Sequence, residues 1–181
     1  MITINTWVVE DDTTFRRSLQ QLLNRAECIV CEHVFPTCTK FLEAIEAGPR
    51  PDLVLMDLGL PGMGGIECIK TLRKVAPDVT VIVLTVFSDK EKVIQSLDAG
   101  AAGYLLKSTT PSEIIEGLQK VFYGESVLSP SVVKIVLEEL RKPESDETFD
   151  LSAREVEVLE KLAEGLSVKE IAAVLNISRH T

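Results

Sequence analysis

Short apolar runs alternate five times with amphipathic segments over the first two thirds of the chain, and this rhythm limits the fold more than any other feature. Strand-like runs fall at about 4–9, 28–34, 52–57, 79–84 and 102–106. Segments of helical period fall between and after them, at about 14–25, 38–47, 64–75, 88–99 and 111–123. Such alternation predicts an α/β unit, a five-stranded parallel sheet with helices on both faces. The runs Leu53-Val54-Leu55-Met56 and Val81-Ile82-Val83-Leu84 show no polar alternation, as strands covered on both faces require. Punctuation agrees. Gly48-Pro49-Arg50-Pro51 precedes the third run. Gly100 suits a left-handed helix end, and Pro111 suits a first helical position.

After Gly124 the rhythm stops. Residues 129–141 read as one more amphipathic helix, and residues 142–150 as a charged linker. Helical patterns return at 152–164 and 167–175. The expected division is therefore 1–124, 125–150 and 151–181. A chain of 181 residues can hold one ordinary core and a small second unit.

The net charge is −9. Residues 150–181 carry six acidic and four basic groups, so this segment lacks the basic footprint of a self-sufficient nucleic-acid binder. No apolar run reaches the roughly 20 residues that span a bilayer. Met1-Ile2-Thr3-Ile4-Asn5 has neither the basic start nor the cleavage site of a secretory signal. A cytoplasmic location with no membrane partner is the expectation. Cys28 and Cys31 are spaced as a metal or redox pair, but they lie in a strand-like stretch with no second pair. Packing is the better reading for them, and for His33 beside them.

The chemistry sits at strand ends, where open α/β sheets bind ligands. Glu10, Asp11 and Asp12 follow the first strand, Asp57 ends the third, Thr85 the fourth and Lys107 the fifth. Carboxylates brought together repel one another, so folding alone would not favour the cluster. A hard cation such as Mg²⁺ resolves the conflict. Two acids, a further carboxylate, a hydroxyl and an ammonium could together hold a phosphoryl group. Asp12 reads as a solvent charge or a helix cap.

These residues carry a resemblance. Val8-Val9-Glu10-Asp11-Asp12, Asp57-Leu58-Gly59-Leu60-Pro61-Gly62-Met63-Gly64-Gly65, Leu84-Thr85 and Leu106-Lys107 resemble the signature positions of two-component response regulators of the NarL/FixJ (LuxR-type) family, with Tyr104 at the aromatic switch position. The resemblance implies a flavodoxin-like receiver with strand order 2-1-3-4-5. It implies a phosphoacceptor, Asp57, which takes its phosphoryl group from a sensor histidine kinase. It implies Mg²⁺ on Glu10, Asp11, Asp57 and the backbone carbonyl of Gly59, with Glu10 acting mainly through bound water. Lys107 would pair with the phosphoryl oxygens, Thr85 would move to bond one, and Tyr104 would follow inward. The chain would be a phosphoacceptor with autodephosphorylation, not a turnover enzyme. Ser108 stands where many receivers have proline. Phe87 and Gly59 would flank the phosphoryl group, where their bulk bears on water access.

Residues 151–181 resemble the opening of a LuxR-type helix-turn-helix, with Ser152 and Glu155 as a capping box. Arg179, His180 and Thr181 would begin the recognition helix, and the sequence ends there. The expectation is thus an incomplete DNA-binding segment, α-helical, that binds DNA specifically only in a longer form, with the oligomeric state open and a homodimer among the alternatives. A second class stays open: a phosphorylation-switched interaction module that does not touch DNA. A Mg²⁺-dependent phosphatase of the HAD type is disfavoured, because Leu58 and Gly59 follow Asp57 where that class needs a second aspartate.

Overall fold

The computed structural model describes residues 2–141, 153–163, 166 and 171. They fall into two compact units, Met1–Ser129 and Pro130–Thr181.

In the first unit, β1 (Ile4–Val9), β4 (Leu53–Met56), β5 (Thr80–Thr85) and β6 (Gly103–Leu106) form the middle of a parallel sheet. The intervening elements are α1 (Thr13–Arg25), β2 (Ile29–Val30), β3 (Val34–Phe35), α2 (Cys38–Ala47), α3 (Gly65–Val75) and α4 (Lys90–Asp98). After β6 come α5 (Pro111–Phe122) and β7 (Val127–Leu128). The order is β2-β1-β4-β5-β6-β7, with β3 also pairing β1. This is the expected doubly wound sheet. Leu53 and Leu55 of β4 join Leu19 and Leu23 of α1 and Ile114 and Leu118 of α5 in one core. Val54 and Met56 alternate to the opposite face, where α2 through α4 follow one another.

Two features differ from the expected five strands. The single run at 28–34 is split. Ile4 pairs with Ile29 and Val8 with Val34, so β1 advances four residues while its partner advances five. The extra residue is a bulge. Asn24 of α1 causes it locally, because its side chain accepts from the Cys31 N–H (2.8 Å) and donates to the Cys31 carbonyl (3.0 Å). That backbone is thereby diverted from the ladder to the helix. The second difference is β7, parallel to β6. A Cβ on Gly103 would stand 2.8 Å from Cγ1 of Val127, so the bare glycine lets the added strand approach. His33 falls between β2 and β3 and meets Trp7 edge-on, centroids 4.8 Å apart.

Helix ends follow their sequence signals. Thr110 and Glu113 form a capping box at α5, with Pro111 in the first turn. Gly100 has φ +103° just after α4, and Arg73 of α3 donates to its carbonyl. In the second unit, α6 (Pro130–Leu140) and α7 (Ala153–Ala163) match the expected helices, and Arg141 reaches Glu160 at 3.2 Å. The expected linker and capping box, and the last helix apart from Ile171, lie outside the described residues. No helix among the described residues is long and apolar enough to cross a membrane.

Candidate functional site

The β1–β4 ladder runs one residue past β4, because Asp57 N–H donates to the Val9 carbonyl at 3.0 Å. Asp57 is therefore set beside Glu10, which follows Val9. On the other side of the sheet, Lys107 N–H donates to the Thr85 carbonyl at 2.8 Å, just past the ends of β5 and β6. Four strand ends thus deliver four functional side chains to one edge.

Lys107 spans that edge. Its Nζ lies 2.6 Å from Oε2 of Glu10 and 2.9 Å from Oδ2 of Asp57. The other oxygens are also engaged: Asp12 N–H donates to Oε1 of Glu10 at 3.1 Å, and Leu58 N–H to Oδ1 of Asp57 at 2.7 Å. Both carboxylates are almost fully buried, whereas Asp11 is exposed. One oxygen from each of Glu10, Asp11 and Asp57 lies within 4.8 Å of the others. Three hard oxygen donors this close, one open to solvent, suit a small divalent cation with part of its water shell, so the residues fit the metal implied.

Burial pushes the Glu10 carboxyl above its usual pKa, aided by the nearby Asp57 charge, although Lys107 pulls the other way. For Lys107 burial alone would weaken the ammonium, but its bonds to Glu10 and Asp57 prevail and raise its pKa. The cation is thus fixed in its charged form.

Thr85 is fully buried, and its Oγ1 accepts a long bond from Phe87 N–H, 3.5 Å. Tyr104 is also fully buried and donates to the Phe87 carbonyl at 2.9 Å. The sequence reading has Tyr104 moving inward on switching; in this structure it is already inside. Burial, together with the charges of Asp89 and Asp57, holds its phenol well above the ordinary pKa. Gly59 offers a bare α-carbon beside the carboxylate: a Cβ there would stand 3.6 Å from Oδ2 of Asp57 and 3.2 Å from Cε2 of Phe87.

Asp12 caps α1, accepting from Phe15 N–H at 2.6 Å, as one of its two readings had it. Several contributors escape sequence reasoning. Arg16 Nη1 donates to the carbonyls of Glu10 (2.6 Å) and Asp11 (2.9 Å), fixing the backbone of the acid pair. Phe15 places its ring centroid 4.7 Å from Lys107 Nζ. A Cβ on Gly65 would stand 2.2 Å from the Asp57 carbonyl oxygen, so only glycine lets α3 start against the Asp57 backbone. The paired glycines Gly64-Gly65 were the one signal for this. Cys31 packs in the core. Arg179, His180 and Thr181 lie outside the described residues.

Residues 6–119 match the response regulator receiver domain, and residues 150–181 match the luxR family of bacterial regulatory proteins. The "Uncharacterized transcriptional regulatory protein YhcZ" of Bacillus subtilis (strain 168) is 40% identical over 96% of this chain and 82% of its own length. The "Nitrate/nitrite response regulator protein NarP" of Escherichia coli (strain K12) is 36% identical over 96% of this chain and 81% of its own. Among solved structures, a LuxR-family two-component response regulator from Aurantimonas sp. SI85-9A1 is similar with TM-score 0.71 and 26% identity, covering 76% of this chain and 97% of that one.

Proposed function

Because the chain belongs to the response regulators, transcriptional regulators that join a receiver domain to a luxR-family DNA-binding region, we propose that Asp57 is its phosphoacceptor and a sensor histidine kinase its phosphoryl donor. The observation that carries this reading is Lys107 Nζ held between the buried carboxylates of Glu10 and Asp57 at the strand ends. An ammonium so fixed is a charge already in place for a phosphoryl oxygen, with no reorganisation at the moment of reaction.

In the transfer, a carboxylate oxygen of Asp57 forms a bond to phosphorus while the P–N bond to the kinase imidazole breaks. The electron pair leaves with the imidazole nitrogen, and Asp57 becomes an acyl phosphate. Lys107 exchanges its contact with Oδ2 for a phosphoryl oxygen and keeps Glu10. The Thr85 hydroxyl, whose present bond is long, turns to donate to a second oxygen. Glu10, Asp11, Asp57 and the Gly59 carbonyl would hold Mg²⁺. When bound, Mg²⁺ would offset charge on the transferring group. Thr85 and Tyr104 both bond Phe87, so the loop after β5 would carry the change outward and shift a pre-existing balance of states.

The family acts as a phospho-switch, not a turnover enzyme; slow self-hydrolysis of the acyl phosphate belongs to the proposal. So do the division at 1–124, 125–150 and 151–181, the cytoplasmic location, a homodimer as the active assembly, and Arg179, His180 and Thr181 as the start of the DNA-reading helix. The test is phosphoryl uptake from labelled acetyl phosphate with Mg²⁺. Uptake by the wild type and none by Asp57→Ala is expected. Persistent labelling of Asp57→Ala would move the acceptor elsewhere.

A further inference from the structure

The backbone of Phe87 is tied to Thr85 and Tyr104, but its ring is held by something else. Lys92, in the first turn of α4, places Nζ 3.1 Å from the centroid of that ring. A cation this close to an aromatic face is attracted by the ring quadrupole. Lys92 is itself fixed at the start of the helix. Its N–H donates to Oδ1 of the N-cap Asp89 at 3.2 Å, and its ammonium lies 3.8 Å from Oδ2 of the same residue. The ring's far edge meets the acid site. Around the bare α-carbon of Gly59, the position of an absent methyl is 3.2 Å from Cε2 and 3.7 Å from Cζ of Phe87, and 3.6 Å from Oδ2 of Asp57. Ring and carboxylate therefore share one small space.

We propose that Lys92 is a positioning residue that clamps the Phe87 ring beside Asp57 and so lengthens the life of the acyl phosphate. The proposal rests on the reading of Asp57 as phosphoacceptor. Hydrolysis needs a water whose oxygen bonds to phosphorus as the bond to the Asp57 carboxylate oxygen breaks. The carboxylate is restored, and inorganic phosphate carries away the protons. A ring pressed over Gly59 occupies the space through which that water comes. A ring released from Lys92 turns about its side-chain torsions and opens it.

The test uses the full chain labelled with acetyl phosphate and Mg²⁺, freed of excess donor and followed as the label decays. Lys92→Met should shorten the half-life about two- to fivefold, the range an exposed cation–π contact supports. Lys92→Arg should restore it, since a guanidinium also stacks on a ring. Phe87→Leu should shorten it, and Lys92→Met on that background should add nothing, because the lysine acts through the ring. An unchanged half-life in Lys92→Met overturns the proposal, as does an equal effect with and without Phe87, which would make the lysine a bare charge. A second readout needs no phosphoryl group. Ring current should move the Lys92 ε-methylene protons upfield in the wild type, and Phe87→Leu should abolish the shift. Normal shifts in the wild type overturn the clamp. Failure of the wild type to label at all would instead overturn the reading of Asp57, and the lifetime claim with it.

Discussion

Replacing Lys107 by methionine keeps most of the side chain's length and removes the ammonium that two buried carboxylates share. The side chains of Glu10 and Asp57 are 3% and 6% exposed, so water cannot take over. Removing one partner of a buried ion pair costs roughly 3–5 kcal/mol. Proton uptake sets a ceiling on that loss. Glu10 is already pushed towards its protonated form by burial. Neutralising a carboxyl of ordinary pKa 4.5 at pH 7 costs about 3.4 kcal/mol, at 1.36 kcal/mol for each of about 2.5 pH units. At pH 5.5 the same ceiling falls to about 1.4 kcal/mol. In the variant the folded-state pKa of Glu10 rises further above its unfolded value. The folded state then binds the extra proton, so its contribution is present at low pH and lost as pH rises. Lys107→Met should therefore lose about 3 kcal/mol at pH 7 and less than half of that at pH 5.5. Mg²⁺ at about a hundredfold its dissociation constant should return about 2.7 kcal/mol. Urea unfolding read by the single tryptophan, Trp7 on β1, is a suitable assay. A loss that is equal at both pH values and insensitive to Mg²⁺ would refute the reasoning, since the ammonium would then not be neutralising these carboxylates.

Gly65→Ala should cost roughly 1–3 kcal/mol or more, because the new methyl would meet the Asp57 carbonyl at 2.2 Å and must push the strand end away from α3; weakened Mg²⁺ binding, followed by Trp7 fluorescence, should accompany the lower unfolding midpoint. Thr110→Ala removes the hydroxyl of the capping box at α5 and should cost about 1 kcal/mol in the same unfolding assay. Burial pushes the Cys31 thiol up to about 12, so it should stay unalkylated by a maleimide at pH 8 while the half-buried Cys28 reacts, and both should react once the chain is unfolded. Early modification of Cys31 in the folded protein would show that the bulge opens readily.

Periodicity and punctuation determined the sheet. Uninterrupted apolar runs at 53–56 and 81–84 have one solution, burial on both faces, and every intervening helix begins and ends within two residues of its sequence signals. The acceptor edge was legible for the same reason: a parallel sheet aligns all its strand ends, so Glu10, Asp57, Thr85 and Lys107 had to meet. What the sequence could not carry was anything set by two distant residues at once. The bulge at Cys31 depends on the reach of Asn24 across from α1, and β7 on the space Gly103 leaves for Val127. Arg16 reaches back to the carbonyls of Glu10 and Asp11, and Lys92 of α4 lies on Phe87, contacts that no local pattern specifies. Local pattern reports which face of an element is apolar. Only tertiary packing decides which side chain from elsewhere arrives within 3 Å of it.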